Sequence, residues 1–376
     1  MSPNNYSPFE SVITRLRFPL IVGIIVIHCC LVPFEHTEKD VQFICQPSHD
    51  IQLFLSQIVA RICVPLFFLI SGYLFFYKKK IHDFSFFKNQ WHKRIFSLLI
   101  PYILWNIFAL IIVLAKCYGP LSELFPRLAA NPLNFMDCIQ AFWSFRPDVP
   151  PNIYEPATAP INIPLWYIRD LMMMCLVSPL IYYILKQKFS LIIPLVLTGL
   201  FITGIWFPDS SGFSLTSVTF FVIGAWFAIK KFDPVIALTT HCKIQPLLIL
   251  SSLCYLVIAL LELKNYYEDS WIYFHGIAII IGVILVITIT AYANQQSNKT
   301  IQTVFGAETF FIFGFHYPIL GLIKPLVTKY IPLQNNIISL FCYFGLIILT
   351  VVLSIYTYKI VKHIFPKFSG YLVGSR

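Results

Sequence analysis

The sequence predicts an all-α polytopic membrane protein with about ten transmembrane helices and both termini in the cytoplasm. Three observations carry this. Hydrophobic residues fill 58% of the 376 positions and charged residues only 12%, with a mean hydropathy of +0.75; a soluble domain carries about 25% charge. Apolar runs of roughly 17–25 residues, the length that carries a helix across a bilayer, recur along the chain. Lys and Arg are also distributed between those runs in the way that orients a membrane protein. The net charge of +10 fits a basic cytoplasmic face, and no nucleic-acid motif accompanies it.

The predicted spans lie near 18–34, 53–77, 95–115, 164–185, 189–207, 214–229, 245–263, 271–292, 306–328 and 336–358. They form one transmembrane domain over residues 1–376. The first span reads as a retained helix, because no small-residue cleavage pattern follows it. With the N-terminus inside, eighteen of the 27 Lys and Arg fall in inner segments and seven outside, while Arg61 and Arg169 lie within spans. Miscounting one span would scramble that asymmetry, so it supports an even number of spans and a multi-pass protein of the cytoplasmic membrane.

Within the first span, "RFPLIVGIIVIHCC" begins with Arg17 and holds His28. Eleven helical positions make three turns plus about 20°, over about 16 Å, so the two share a face. Arg17 then lies at the inner interface, where a guanidinium grips phosphate in bidentate fashion. His28 lies near mid-membrane, where a neutral imidazole takes a proton from a hydroxyl. The plainer reading is an interfacial anchor and a histidine bonded to a neighbouring helix.

The second span places Arg61 at a similar depth, and the ninth, "GAETFFIFGFHYPIL", puts Glu308 at its inner edge and His316 at mid-depth. Ionisable groups are expensive against lipid, so His28, Arg61 and His316 are expected to face one hydrated interior. Arg61 needs a counter-charge, and Asp170 and Glu308 are the candidates; a purely structural ion pair is the alternative. The inner loop before the third span ends in Lys93 and Arg94. They serve topology, and they also form a basic mouth with Arg17.

The outer segment 116–163 holds eight prolines. It is read as a lid or vestibule, or as a plain connector. Beneath it, "PLWYIRDL" sets Trp166, Tyr167, Arg169 and Asp170 in the outer third. Of the ten cysteines, Cys45, Cys117 and Cys138 fall outside, with no pairing assigned, and no Cys/His spacing suggests a metal.

Together these stretches resemble the integral-membrane acyltransferase 3 family. "RLRFPLIVGIIVIHC" is similar to its Arg-x10-His first helix, and "VPLFFLISGYLFF" to its second-helix signature. "WHKRIFSLLIPY" resembles the basic entry to its third helix, and "PLWYIRDLM" and "TFFIFGFHYPIL" resemble two further segments in the right order. His92-Lys93-Arg94 replaces a fuller arginine cluster, and Thr309 stands where serine is common.

The resemblance implies transfer of an acyl group, usually acetyl, from cytoplasmic acyl-CoA to a hydroxyl of a cell-envelope glycan or related acceptor. It implies that Arg17, Lys93 and Arg94 hold the CoA phosphates and that the pantetheine arm passes Ser71 and Gly72. His28 acts as base, or as an acyl carrier, and Arg61 or His316 stabilises the oxyanion. Trp166 and Tyr167 stack on a sugar, or Trp166 is a membrane-belt residue. Arg169 and Asp170 bond the sugar's hydroxyls, and Glu308 contributes to the acceptor site. No hydrolase-like soluble domain is expected. The rival reading is a transporter or flippase of a polysaccharide or lipid-linked sugar, for which polar residues at mid-depth serve as a path.

Overall fold

The computed structural model describes residues 7–31, 47–79, 81, 83–119, 121–125, 133–145, 158–207, 211–241, 244–268, 270–296 and 306–374. Among them the chain is helical throughout, and the one β-feature is an isolated bridge between Phe145 and Ala159.

Helix α1 (Pro8–Cys29) starts well before the expected span and stops earlier than expected. Its start is fixed by local chemistry. Ser7 and Glu10 form a reciprocal capping box, with Pro8 at the first turn. Glu10 also accepts a hydrogen bond from Lys78, which holds that exposed ammonium above its usual range. The early stop puts His28 in the last turn of α1 rather than mid-helix. Carbonyls in a last turn have no intrahelical partner, and three neighbouring side chains supply them. Ser56 Oγ donates to Val26 O (2.8 Å), Gln57 Nε2 to Ile27 O (3.5 Å) and Lys324 Nζ to His28 O (3.5 Å).

Two long spans carry irregular turns beside basic residues. Helix α2 (Pro47–Phe76) contains a π-helical turn over Phe54–Val59, followed by a 3₁₀ turn over Ala60–Ile62 that bears Arg61. Helix α3 (Ser85–Tyr118) has a π-helical turn at Ile95–Leu99, directly after Arg94. Such turns re-aim side chains without ending the helix.

Part of the outer segment folds back. A short helix, α4 (Phe135–Gln140), is capped by Asn134 and Asp137. Tyr102 on α3 donates to Phe142 O, and Ile161 N donates to Ala141 O at 2.7 Å. Residues 126–132 and 146–157 of that segment, with Pro147, Pro150, Pro151 and Pro156, lie outside the described residues, as does Cys45. Cys117 and Cys138 are free thiols.

The expected span 164–185 is broken. It forms α5 (Trp166–Leu176, entered through a 3₁₀ turn at Ile163–Leu165) and α6 (Ser178–Lys186), bent by 58°. Pro179 lacks the N–H that would bond back to Cys175 O. That carbonyl instead accepts from Ser178 Oγ (2.6 Å) and Trp91 Nε1 (2.8 Å).

Then follow α7 (Ile192–Thr203), α8 (Leu215–Ile229), α9 (Pro234–His241), α10 (Ile244–Lys264), α11 (Trp271–Gln296), α12 (Ala307–Tyr330), α13 (Asn336–Ile364) and α14 (Pro366–Leu372). Among the described residues, seven helices are long and apolar enough to cross a membrane, eight if the bent pair is one span. The expected spans at 189–207 and 214–229 become helices of 12 and 15 residues, short of the about 20 that a crossing takes. The multi-pass character is therefore plain in the described helices, seven or eight of which have the full crossing length.

Small residues let the helices close on one another. A Cβ on Gly72 of α2 would lie 2.1 Å from the Phe221 carbonyl of α8, and one on Gly224 of α8 would lie 1.9 Å from that of Leu69. Helix α1 sits at the centre, against α2, α11, α12 and α13.

Candidate active site

A cavity of about 430 Å³ opens between α1, α2, α3, α5 and the start of α12. Its polar lining is Arg17, Ser71, Arg94, Tyr167 and Thr309. The rest is apolar, with Ile21, Phe67, Leu98, Phe310 and Phe313 among the walls. Arg17 is exposed and marks the mouth. Arg94 lies over the Phe75 ring at 5.7 Å, and its Nε is buried with no protein acceptor. The start of α12 also lines the cavity, through Gly306 and Thr309, and Gly306 provides no side-chain cap for that helix end. Ser71 Oγ and Tyr167 OH are 2.8 Å apart on the wall.

Following α1 and α12 away from this mouth leads to the histidines. The two helices run side by side in the same direction. Ile21 and Phe313 line the deep part of the cavity, His316 is three residues past Phe313, and His28 is seven past Ile21. The rings of His28 and His316 have centroids 5.5 Å apart, and Tyr317 meets His28 edge-on at 5.2 Å. His316 is fully buried, and its Nδ1 lies 3.0 Å from Ile312 O. A carbonyl only accepts, so Nδ1 carries the proton. In the neutral ring Nε2 then keeps its lone pair, and it has no partner. His28 is half-buried and, like His316 and Arg61, lies beyond the residues that line the cavity. Arg61 and Lys324 both act on it electrostatically. Arg61 is steered by Gln57, whose Oε1 accepts from its Nε (3.0 Å) and NH2 (2.6 Å).

Several expected residues lie elsewhere. Lys93 is exposed and outside the cavity lining, while its neighbour Arg94 is inside it. Gly72 faces α8, where it serves packing, and only Ser71 reaches the cavity. Glu308 sits in the first turn of α12 but is not among the lining residues; Thr309 is. Trp166 is 6% exposed and packs on Phe68, so it offers neither an open stacking face nor a membrane-belt contact.

Arg169 and Asp170 are both fully buried and pair with each other at 3.2 Å. Arg169 NH1 donates to Trp143 O (2.7 Å), and Asp170 accepts from Gly212 N (3.1 Å) and Ser214 N (3.0 Å). The pair ties the outer segment to the start of α8. It therefore bonds protein, not a sugar, and Asp170 is not the counter-charge of Arg61.

Gln57, Tyr317 and Lys324 belong to the histidine region and were not singled out from the sequence. The signal for Lys324 was present: an ionisable residue eight positions after His316 within one span. Among the described residues, no group of three His, Cys, Asp or Glu side chains is placed to hold a metal ion.

Comparison with known proteins adds an independent line. A family model described as an acyltransferase domain matches residues 12–359. The succinoglycan biosynthesis protein ExoH of Rhizobium meliloti (strain 1021) is similar, with 25% identity over 177 residues, 46% of this chain and 43% of that protein. The matched segment thus spans under half of the relative's length. No solved structure matches the chain.

Proposed function

Since the chain belongs to this acyltransferase family and is an acyltransferase built of membrane-spanning helices, we propose that it moves an acyl group from acyl-CoA to a hydroxyl of a cell-envelope glycan, with both termini in the cytoplasm. One observation carries the donor assignment: a single cavity has two guanidinium groups and an uncapped helix N-terminus at its mouth and apolar walls beyond. That pattern suits a polyphosphate head with a long, weakly polar arm. Arg17 and Arg94 hold phosphate by charge-assisted bonds. Ser71 and Tyr167 supply hydroxyls to the arm's amides. The acyl group proposed is acetyl. A printed role in succinoglycan biosynthesis for the similar protein supports a polysaccharide acceptor, and the Lys/Arg asymmetry supports the cytoplasmic membrane and the inward mouth.

The donor supplies an activated acyl carbon and a thiol leaving group. The chain's residues handle the proton and the charge. His28 takes the acceptor's hydroxyl proton, which leaves with the CoA thiol. General-base assistance of this kind contributes about 10²–10⁴ in rate. Charge developing on the carbonyl oxygen is met by Arg61. Neutral His316 has no N–H left for that task, since its one proton is committed to Ile312 O. Its ring, packed beside His28 with centroids 5.5 Å apart, instead positions the His28 ring by contact.

The test is incubation of purified protein with acyl-labelled acetyl-CoA and envelope glycan. Label on the glycan, with equimolar free CoA, supports the proposal. No CoA release with any short-chain acyl-CoA, together with glycan uptake into vesicles, would assign the chain a transport role instead.

A further inference from the structure

Lys324 occupies an unusual place. It lies on α12 fifteen residues past Thr309, about 22 Å along the axis, so it is remote from the donor mouth. It is half-buried, and its ammonium reaches back to the His28 carbonyl, towards the histidine pair. A lysine near a helix end in a membrane ordinarily extends its ammonium away from the apolar interior. This one turns inward, and its single hydrogen bond, at 3.5 Å, is at the limit of a bond.

Lys116 provides the contrast within the same molecule. It too is largely buried and meets the same helix, but its Nζ donates to Gly321 O at 2.6 Å and rests 4.5 Å from the Phe125 ring. Lys116 is satisfied by protein; among the described residues, Lys324 keeps two N–H donors without a protein acceptor beside the His28 backbone. A cation held in that state is costly unless an anion meets it.

We propose that Lys324 forms an anion-binding acceptor subsite on the side of His28 opposite the donor cavity, so that the acceptor bears a carboxylate or phosphate near its reacting hydroxyl. This rests on the acyltransferase reading above for the word acceptor, but the binding itself does not. The anion is a carboxylate on the glycan or a phosphate of its lipid carrier; both offer the same oxygens to the ammonium.

The test is a binding measurement on the detergent-purified full chain with saturating CoA present, so that the donor mouth is filled. Trigalacturonate, its methyl ester and a polyprenyl diphosphate are titrated against wild type, Lys324→Gln and Lys324→Arg. Glutamine removes the charge and keeps an N–H donor on a side chain one bond shorter. Wild type is expected to bind trigalacturonate, or the diphosphate, about ten-fold or more tighter than the methyl ester. Lys324→Gln should lose that margin, and Lys324→Arg should keep most of it. Preference for trigalacturonate identifies the glycan as the source, and preference for the diphosphate identifies the carrier. Equal binding of acid and ester with no binding of the diphosphate, or an unchanged preference in Lys324→Gln, overturns the proposal. A parallel CoA-release assay reports separately on acyl transfer, so its failure is not confused with loss of the subsite.

Discussion

The imidazoles of His28 and His316 face each other across the junction of α1 and α12, with ring centroids 5.5 Å apart, and His316 spends its Nδ1 proton on Ile312 O. This pairing divides their roles. His28 is the less buried of the two, and His316 has the fixed tautomer and the buried lone pair. His316→Ala is therefore expected to lower turnover by about ten-fold, less than His28→Ala, with the donor KM unchanged. His316→Gln, which restores an acceptor near Nε2, should recover part of the loss. Equal losses in all three variants would mean that both rings act in the chemistry.

The donor mouth makes a different prediction. Arg17→Ala and Arg94→Ala should each raise the KM for acyl-CoA by roughly 10–100-fold, the worth of a hydrogen bond to a charged group. Arg17→Lys should restore only part of it, because lysine lacks the bidentate fork. Lys93→Ala, exposed and outside the lining, should change the KM by less than about two-fold. Titration of dephospho-CoA against CoA identifies which arginine reads which phosphate.

Asp170→Asn should act on stability, not on acceptor use. It leaves the fully buried Arg169 without its ion pair and weakens two bonds to the start of α8. Breaking a buried pair from one side costs about 3–5 kcal/mol. The expected outcome is a lower unfolding temperature in detergent and less protein in the membrane. The fraction that remains folded should keep a normal acceptor KM. A raised acceptor KM in a variant of normal stability would return this pair to the acceptor site.

Gly224→Val tests the closest helix contact. The added side chain must displace the Leu69 backbone, so α2 and α8 are forced apart and folded yield should fall sharply. Gly199→Val on α7, where a Cβ meets nothing within 4 Å, should leave yield near normal. The readout is monodisperse protein after size-exclusion chromatography.

Composition and run length were enough to read the helical membrane fold, because the bilayer imposes one rule on every crossing. The irregular places needed coordinates. Pro179 marked the break between α5 and α6, but only the satisfied Cys175 carbonyl shows how the bend is stabilised. Helical arithmetic carries the expectation that Arg17 and His28 share a face, and α1 is continuous between them. The end of α1 at Cys29 was not legible in the sequence, since "CCLVPF" continues the apolar run and the stop is fixed by Ser56, Gln57 and Lys324 from other helices. Arg169 and Asp170 looked like ligand groups because sequence reports charge but not partners. The structure gives each of them protein partners.

The central claim is that one continuous site binds the donor at Arg17 and Arg94 and does its chemistry at His28. The most direct measurement is paired, on purified His28→Ala and wild type: CoA affinity by titration, and acceptor-dependent CoA release on the same preparation. The account predicts CoA affinity within about two-fold of wild type and turnover reduced roughly 10²–10⁴-fold. Near-normal turnover in His28→Ala, or loss of CoA binding in a folded protein, would contradict it.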